Sequence, residues 1–489
     1  MNIPDLTFPA MAFLLGALVV MLAIPFLLRW AHASVVLDLP SELRKIHTEP
    51  IPRIGGLAIY GGFFLIFSLI WVFFPRQIRM LDGWEQIFMV VTPMFALGLW
   101  DDFRPLGAKR KLVGQILVAC LAYWIGLRIE NITNPLNETF YHIGLWGLPL
   151  TVLWVVAITN LINLIDGLDG LAAGVSLFLM VVMAALAAMR GSMPLLCLPV
   201  GVAGVLAGFL FFNFPPAKIF LGDGGSYFLG SLIASMALVN SSKGEVVAAM
   251  VMPFFALGLP VLDTALAILR RGILGLPIFR GDRQHIHHRL LDMGFSQRRA
   301  VVLLYMICAL LCLVATVFFV VGSRWWALLL GVLFTVALLS VRALGYVKGW
   351  DKLGLQLAGS MEKRRSIQLA LLHGKMLVLE AENSKDWSDF FRLASEKLEK
   401  LGFHSFKMVT RVPGIEHSEW KPSHVRPWNI ESAEWLEHVR LLRLGREVVG
   451  EIRICGYVEE DWLDHFDRLA DVMGEAIEEG FRICHRKFT

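Results

Sequence analysis

Charged residues are scarce in this chain of 489 amino acids, where Asp, Glu, Lys and Arg together make up 18% of the sequence. Soluble domains usually carry about 25% charged residues. Hydrophobic residues make up 56% of the chain, and the mean hydropathy is +0.62. This composition excludes a wholly water-soluble protein and predicts several segments within a lipid bilayer.

Cysteine is also rare, with six residues in the whole chain. Four of them fall in apolar segments and two lie near the C-terminus, without the paired spacing of a zinc site or a disulfide framework. We therefore interpret them as small hydrophobic residues.

Long apolar segments dominate the N-terminal part of the chain. A helix needs roughly 20 residues to cross the hydrocarbon core, and about eleven segments are suitable. They cover residues 9–29, 54–74, 86–100, 112–128, 145–165, 171–189, 194–213, 226–240, 246–269, 300–321 and 324–342. The first lacks a basic N-terminal region and a small-residue cleavage site, so we expect it to be retained. The predicted fold class is an all-α polytopic membrane protein with about eleven transmembrane helices.

Basic residues are concentrated in alternate loops. Most loop lysines and arginines fall on one side, in loops 30–53, 101–111, 166–170, 214–225 and 270–299. The positive-inside rule makes this side cytoplasmic and places the N-terminus outside.

The composition becomes that of a water-soluble protein near Met361. Amphipathic helix patterns cover 386–401 and 461–483, and strand patterns cover 404–410 and 448–458. We predict a transmembrane domain over 1–345, a linker over 346–360 and a small cytoplasmic α+β domain over 361–489. The sequence does not indicate the function of this last domain.

Two adjacent carboxylates, Asp101 and Asp102, follow the third apolar segment. Carboxylates at a membrane boundary repel each other and lose hydration, which a cation or a catalytic role can offset. A water-exposed charge pair at a helix end explains the dipeptide equally well, so these two residues alone leave both interpretations open.

The segment TNLINLIDGLDG places Asn160, Asn163, Asp166 and Asp169 at intervals of three residues. On a continuing helix these side chains stay near one side and can enter one polar cleft. Unsatisfied polar groups in hydrocarbon cost several kcal/mol, which favours a ligand. The alternative is a polar seam between helices.

The segment NFPPAKIFLGDGGS follows the seventh apolar segment and contains Asn213, Lys218, Phe220 and Asp223. Its prolines break the helix and its glycines leave backbone amides that can cradle phosphate, while Asp223 can reach a metal ion. An ordinary Pro/Gly turn would have the same composition.

The long loop 270–299 contains DRQHIHHRL, with three histidines and two arginines. Zinc is one interpretation of such a cluster, but we favour phosphate contacts because carboxylates dominate the other loops. The basic segments RKIHTEPIPRIGG and GAKRKLVGQ can hold an anionic lipid head group or simply follow the positive-inside rule.

The chain resembles the polyprenyl-phosphate N-acetylhexosamine-1-phosphate transferase family over about residues 10–343. The resemblance rests on five motifs in the family's order, which are RKIHTEPIPRIGG, DDFRPLGAKRKLVGQ, NLINLIDGLDG, NFPPAKIFLGDGGS and DRQHIHHR. The form His-Ile-His-His resembles the bacterial branch that uses UDP-N-acetylglucosamine, rather than the peptidoglycan branch with its run of consecutive histidines. The resemblance implies transfer of a sugar 1-phosphate from a UDP-N-acetylhexosamine, most simply UDP-GlcNAc, to undecaprenyl phosphate.

Several further expectations follow from this resemblance. UMP would be released, and the product would be the first lipid-linked intermediate of a cell-surface polysaccharide. Mg²⁺ is the implied cofactor, with Mn²⁺ as a substitute, and the enzyme would be a multi-pass protein of the inner (cell) membrane with a cytoplasmic active site. Nucleic acid is not an expected partner, and homodimerisation is left open.

The resemblance also assigns roles to individual residues. The implied catalytic residues are Asp101, Asp102 and Asp166, and the implied metal ligands are Asn163 and Asp223. The nucleotide would be bound by Gly167, Asp169, Asn213 and Phe220. The pyrophosphate would be bound by Arg283, His285, His287 and His288, and the lipid phosphate by Lys45 and Lys111.

A different class of function is a polytopic transporter, or a lipid-binding receptor with a cytoplasmic signalling domain. Transporters place polar residues near the bilayer midplane. Here the polar segments are predicted to lie at one membrane face, which favours interfacial chemistry.

Overall fold

The computed structural model describes most of the chain, and the chain forms two compact units. The described residues are 6–32, 37–38, 51–79, 83–133, 140–189, 191–241, 258, 261–263, 268, 271, 290–291, 293–321, 331, 335, 353–412, 418–421, 434–444, 447–458 and 463–488. The first unit comprises most of the first 346 residues, and the second comprises residues 347–489 with two short earlier segments. The domain boundaries given above stay predictions.

Helices make up most of the described part of the first unit. They are α1 Thr7–His32, α2 Gly55–Phe73, α3 Pro75–Arg79, α4 Trp84–Phe103, α5 Ala108–Trp124, α6 Gly147–Ile165, α7 Leu171–Met189, α8 Met193–Asn213, α9 Gly222–Ser241 and α10 Gln297–Val321. Two short antiparallel strand pairs join β1 Leu37–Asp38 to β2 Ile51–Pro52, and β3 Asn131–Thr133 to β4 Phe140–His142.

Six described helical segments are long and apolar enough to cross a membrane. They are Thr7–Trp30, Gly55–Phe73, Gly144–Ile165, Leu171–Met189, Met193–Asn213 and Gln297–Val314. The predicted helical, multi-span architecture is therefore confirmed, but the count of about eleven spans is not. The predicted spans 246–269 and 324–342 lie largely outside the described residues.

Helix α9 lies at the centre of the first unit, where it packs against α2, α4 and α6. Its residues from Gly222 to Val239 are all buried. Glycines allow this close packing: a Cβ added to Gly98 of α4 would overlap the backbone carbonyl of Asp223. A Cβ added to Gly230 of α9 would lie 2.5 Å from Thr159 Cα of α6. These contacts hold α9 close to α4 at its N-terminal end and close to α6 near its middle.

The second unit combines three helices with one antiparallel sheet. Its elements are α11 Leu353–Ala381, α12 Trp387–Lys400, β5 Ser405–Thr410, β6 Ser418–Trp420, β7 Glu434–Leu444, β8 Glu447–Val458 and α13 Leu463–Phe488. The strand order is β6-β5-β8-β7. The Asp386 side chain caps α12 by accepting a hydrogen bond from Asp389 N at 2.8 Å. The predicted α+β character is confirmed, with a core that includes Phe390, Phe406 and Phe481.

Strand β7 is absent from the sequence prediction. Its alternating charged residues conceal a strand because those on one face are paired with α13. Arg440 Nη1 lies 2.8 Å from Asp471 Oδ1, and Arg440 Nε lies 3.0 Å from Glu478 Oε2. The ion pairs allow a charged side chain to face a packed helix.

Candidate active site

Residues from four helices meet at the N-terminal end of α9. Lys111 Nζ of α5 lies 2.6 Å from Asp101 Oδ2 of α4 and 2.6 Å from Asp223 Oδ2 of α9. Asn163 of α6 donates through Nδ2 to the other Asp223 oxygen at 3.1 Å. Asp101, Asn163 and Asp223, three of the predicted site residues, therefore lie together, with the Lys111 ammonium between the two carboxylates, and their predicted roles stay predictions.

Each of these side chains comes from the same end of the helical bundle. Asp101 lies near the C-terminal end of α4, and Lys111 lies in the first turn of α5. Asn163 precedes the end of α6, and Asp223 is the second residue of α9. Polar groups of these four helices are therefore gathered at one face of the first unit.

Asp102 fixes the backbone that carries Asp223. Its two carboxylate oxygens accept hydrogen bonds from Asp223 N and Gly224 N, both at 2.8 Å. These amides belong to the first turn of α9, where N–H groups have no partner within the helix. Burial raises the pKa of Asp102 to about 7, against the opposite effect of the two N–H donors. Asp102, predicted to be catalytic, thus supports the position of Asp223.

Electrostatics keep Asp223 ionised. Burial opposes ionisation, but the Lys111 ammonium and the hydrogen bonds around the carboxylate hold the pKa of Asp223 below its ordinary value. The Asp101 and Asp223 side chains are only 10% and 12% exposed, so solvent screens their attraction to Lys111 weakly. An ionised carboxylate at this position can bind a cation.

Arg53 is a residue of this site that the sequence prediction did not assign. Its positive charge favours the ionised forms of Asp102, Asp166 and Asp223. The preceding residue, Pro52, accepts a hydrogen bond from Phe220 N at 2.8 Å, which holds this segment beside the loop before α9. The signal was present in RKIHTEPIPRIGG, where Arg53 could not be distinguished from an ordinary positive-inside residue.

The segment from Asn160 to Gly170 does not form one continuing helix, which corrects the prediction. Helix α6 ends at Ile165, and Gly170 has a φ of +75°, so Asp166 lies in a turn. The Asn160 carboxamide pairs with Gln115 of α5, through bonds of 2.7 and 3.4 Å. The alternative of a polar seam therefore describes Asn160, while Asn163 reaches Asp223.

The turn that contains Asp166 also contains Gly167 and Asp169. The Asp166 side chain is partly exposed, yet desolvation by the surrounding protein raises its pKa well above the ordinary value. Gly167 is exposed. The predicted roles of Asp166 and Gly167 stay predictions.

Asp169 and Asn213 shape the loop between α8 and α9. Asp169 Oδ2 accepts a hydrogen bond from Ala217 N at 2.9 Å, and Asn213 Nδ2 donates to Ile219 O at 2.7 Å. Asn213 is only 3% exposed, whereas Phe220 is partly exposed. Both polar side chains therefore support the loop, and the contacts of these three residues with a nucleotide stay predictions.

Helix α10 supports the same two loops from outside. Tyr305 donates its hydroxyl to Gly170 O at 2.5 Å, and the Arg298 guanidinium lies 5.3 Å from the ring centre of Phe214. A Cβ added to Gly174 would overlap the Tyr305 ring, so this glycine provides space for the tyrosine. Sequence reasoning missed Tyr305 because a tyrosine in an apolar segment carries no distinctive signal.

Five predicted site residues lie outside the described residues. They are Lys45, Arg283, His285, His287 and His288. Their contacts with phosphate groups stay predictions.

The donor atoms at the site suit a hard divalent cation. Asn163 Nδ2 donates to Asp223 Oδ1 and, at 2.9 Å, to Ser226 Oγ, which fixes the carboxamide beside the carboxylate. The Asn163 carbonyl oxygen and the Asp223 carboxylate are the oxygen ligands that Mg²⁺ prefers. Within the described ranges, no three His, Cys, Asp or Glu side chains form a metal-binding group. Asn163 and Asp223 are the residues that would hold Mg²⁺ here.

Comparisons with known proteins point to one family. The sequence profile of Glycosyl transferase family 4 matches residues 84–241. The chain is 36% identical over 296 residues to a probable undecaprenyl-phosphate N-acetylglucosaminyl 1-phosphate transferase of Bacillus subtilis, covering 60% of this chain and 81% of that protein. It is 31% identical over 325 residues to a decaprenyl-phosphate N-acetylglucosaminephosphotransferase of Mycolicibacterium smegmatis, covering 60% and 78%.

A muramoyl-pentapeptide transferase is also similar to this chain. A phospho-N-acetylmuramoyl-pentapeptide-transferase of Halalkalibacterium halodurans is 31% identical over 320 residues, covering 62% of this chain and 94% of that protein. Each of these alignments leaves more than a third of this chain unmatched.

Proposed function

Because the chain belongs to Glycosyl transferase family 4, among polyprenyl-phosphate sugar-1-phosphate transferases, we propose that it transfers GlcNAc-1-phosphate from UDP-GlcNAc to a polyprenyl phosphate. The contact that supports this proposal best is the Lys111 ammonium between Asp101 and Asp223, with Asn163 on the remaining Asp223 oxygen. This arrangement can bind both a cation and anionic phosphates. The transporter alternative is not favoured, because the relatives are transferases.

The choice of substrates follows the relatives' names and the sequence. The Bacillus and Mycolicibacterium relatives are named for N-acetylglucosamine, and identity to the Bacillus protein, 36%, exceeds the 31% to the muramoyl-pentapeptide relative. The two former names specify different polyprenols, undecaprenyl and decaprenyl. We propose undecaprenyl phosphate as the acceptor.

The reaction joins two anions, and the site must reduce their repulsion. An oxygen of the lipid phosphate attacks the β-phosphorus of UDP-GlcNAc, and the bond from that phosphorus to the bridging oxygen breaks, so UMP leaves with the electron pair. Phosphate monoesters have a second pKa of about 6, so the acceptor is already largely dianionic near neutral pH. A strong base is therefore unnecessary. Asp101 would orient the acceptor phosphate through Lys111.

Positive charges at the site would align the substrates. Lys111 and Arg53 would contact phosphate oxygens, and preorganised charges of this kind stabilise a transition state without later rearrangement. Asn163 and Asp223 would hold Mg²⁺, which supplies further neutralisation of the donor phosphates when bound. Mn²⁺ would substitute because it accepts the same oxygen ligands.

The protein is a multi-pass membrane protein, and we propose that its site faces the cytoplasm of the cell that makes it, at the inner (cell) membrane. The basic loops favour this orientation. The C-terminal unit would lie on the same side. The nucleotide donor is a cytoplasmic metabolite class, which agrees with this placement.

The direct test measures UMP and the lipid product together. Purified full-length protein with UDP-GlcNAc, undecaprenyl phosphate and Mg²⁺ is expected to yield UMP and GlcNAc-pyrophosphoryl-undecaprenol in equal amounts, quantified by mass spectrometry. Chelation with EDTA should stop both, and excess Mg²⁺ or Mn²⁺ should restore them. Donor binding without any UMP formation, with acceptor and metal present, would contradict the proposal, and a panel of UDP-sugars would identify the donor.

Replacing Tyr305 with Phe is expected to weaken donor binding. The variant removes the hydroxyl bond to Gly170 O, and a hydrogen bond of this kind contributes about 0.5–1.5 kcal/mol. The loop that carries Asp169 would then be held less firmly. We expect the KM for UDP-GlcNAc to rise about 2- to 10-fold, with kcat and the acceptor KM nearly unchanged.

Tyr60→Phe is the matched control for this prediction. Tyr60 Oη lies 2.9 Å from Thr92 Oγ1, so this variant also removes one hydroxyl bond between helices, but away from the donor loops. A donor KM that is equal in the two variants would show that Tyr305 stabilises the fold in general and does not position the nucleotide loops.

A further inference from the structure

Helix α11 of the second unit has an exposed apolar stripe. Leu369, Leu372, Met376 and Leu379 are 44%, 54%, 39% and 64% exposed. They follow one another at intervals of three, four and three residues, which is the spacing of positions a and d in a heptad repeat. We refer to these four residues as the α11 stripe.

The opposite face of α11 is already packed, so the rotation of the helix is fixed. Ile367, Ala370, Leu377 and Ala381 are fully buried on that face, which packs against α13. Lys397 of α12 also lies 2.9 Å from Glu380, near the C-terminal end of α11. The exposed side chains therefore cannot turn into the core of their own unit.

Exposure of these side chains costs free energy in proportion to their apolar area. Contiguous apolar patches on soluble units commonly mark interaction surfaces. The heptad spacing favours another helix as the partner, because the seam between two packed helices repeats every 3.5 residues. A flat lipid surface imposes no such narrow repeat and usually contacts a broader apolar face.

Charges at the two ends of the α11 stripe favour one direction of pairing. Arg364 and Arg365 are exposed before Leu369, and Glu382 is exposed after Leu379. Parallel pairing of two copies would place like charges together at both ends. Antiparallel pairing places Arg365 of one copy near Glu382 of the partner subunit, which is electrostatically favourable.

We propose that α11 pairs antiparallel with α11 of a second copy of this chain. The two-fold axis then passes between Leu372 and Met376. Leu369 contacts Leu379 of the partner subunit, and Leu372 contacts Met376 of the partner subunit. The C-terminal unit is, in this proposal, a homodimerisation module, and the pairing is independent of the transferase chemistry.

Disulfide cross-linking between two differently tagged full-length copies tests the pairing and its direction. One copy carries Leu369→Cys and the other Leu379→Cys, and both are co-expressed in native membranes and oxidised. We expect the mixed disulfide to form at least ten times more than the Leu379→Cys homodimer. Five of the six native cysteines are buried and Cys120 is partly buried, so the chain without added cysteines supplies the background.

A second substitution tests whether the α11 stripe is responsible for the cross-linking between the two copies. Leu372→Glu, added to both copies, is expected to reduce the mixed disulfide at least tenfold. Val448→Glu, at a residue of β8 that is 37% exposed, is the matched control and should leave it unchanged. Retained UMP formation would show that the first unit remains folded in both variants, and an unchanged limited-proteolysis pattern would show the same for the second unit.

Three outcomes would overturn the proposal. A dominant Leu379→Cys homodimer would indicate parallel pairing, and the absence of any inter-copy disulfide above background would exclude this helix contact. A fluorophore on Leu372→Cys that is quenched by nitroxide-labelled lipids, without cross-linking, would assign the stripe to the membrane surface.

Discussion

Replacing Asp223 with Asn is expected to reduce UMP formation by about 10²- to 10³-fold or more while the protein still folds. Asn preserves the size of the side chain and can still bond with Asn163, but it removes the negative charge next to Lys111. Of the two proposed metal ligands, Asn163 and Asp223, only Asp223 is charged, so the variant would remove the one charged ligand. The Mg²⁺ concentration needed for residual activity should therefore also rise.

Steady-state UMP formation and thermal unfolding of the same preparation check this expectation. Glu85→Gln is a suitable control, because Glu85 is an exposed carboxylate in the first turn of α4, at the end of the helix opposite to Asp101. Its activity and unfolding temperature should match the parent protein. Full activity of the Asp223→Asn variant would show that Asp223 is not a metal ligand. If this variant does not fold, the Mg²⁺ dependence of the milder variant Asp223→Glu tests the same role.

Replacing Lys111 with Met is expected to lower kcat/KM for the polyprenyl phosphate by about 10²-fold. The ammonium separates the carboxylates of Asp101 and Asp223, and it lies 2.6 Å from an oxygen of each. Without it, these two anions would repel each other and the acceptor phosphate. The loss of kcat/KM should exceed that of Lys111→Arg, because arginine keeps the positive charge but presents a planar guanidinium in place of a compact ammonium.

Lys109→Met is the matched control, because Lys109 lies two residues earlier in α5 and is exposed. It removes one positive charge from the same loop region without removing a contact to the two aspartates. Acceptor kinetics, measured at several lipid concentrations in mixed micelles, should distinguish the two variants. Equal losses would indicate that general positive charge, and not the Lys111 contact, attracts the acceptor.

The convergence of the site could be predicted from sequence, and its finer geometry could not. Asp101, Asn163 and Asp223 are polar residues at the ends of apolar segments, and the cost of burying them unpaired predicts that they share a partner. The family resemblance assigned Lys111 to the lipid phosphate, and its contacts with Asp101 and Asp223 were not predicted. Spacing by threes suggested a helix through Asp166, but local turn geometry at Gly170 overrides such a pattern.

The apolar segment 226–240 was predicted as a span, and α9 covers it, but the packing of this helix could not be predicted. Helix α9 is buried on all sides by other helices, so its surroundings are protein and its sequence can include glycine and serine. A helix with these residues has lower hydropathy than one that faces lipid on a broad surface. Strand β7 was not predicted, because Arg440 is charged and yet faces a packed helix through ion pairs.

The contact at Gly98 limits how this enzyme can diversify. Any side chain at this position would collide with the backbone of Asp223, so a substitution must separate α4 from α9 and carry the carboxylate away from Lys111. Few substitutions of Gly98 would leave an active enzyme. Descendants with new sugar or lipid preferences should therefore differ mainly in the loops around the site, while the glycine persists.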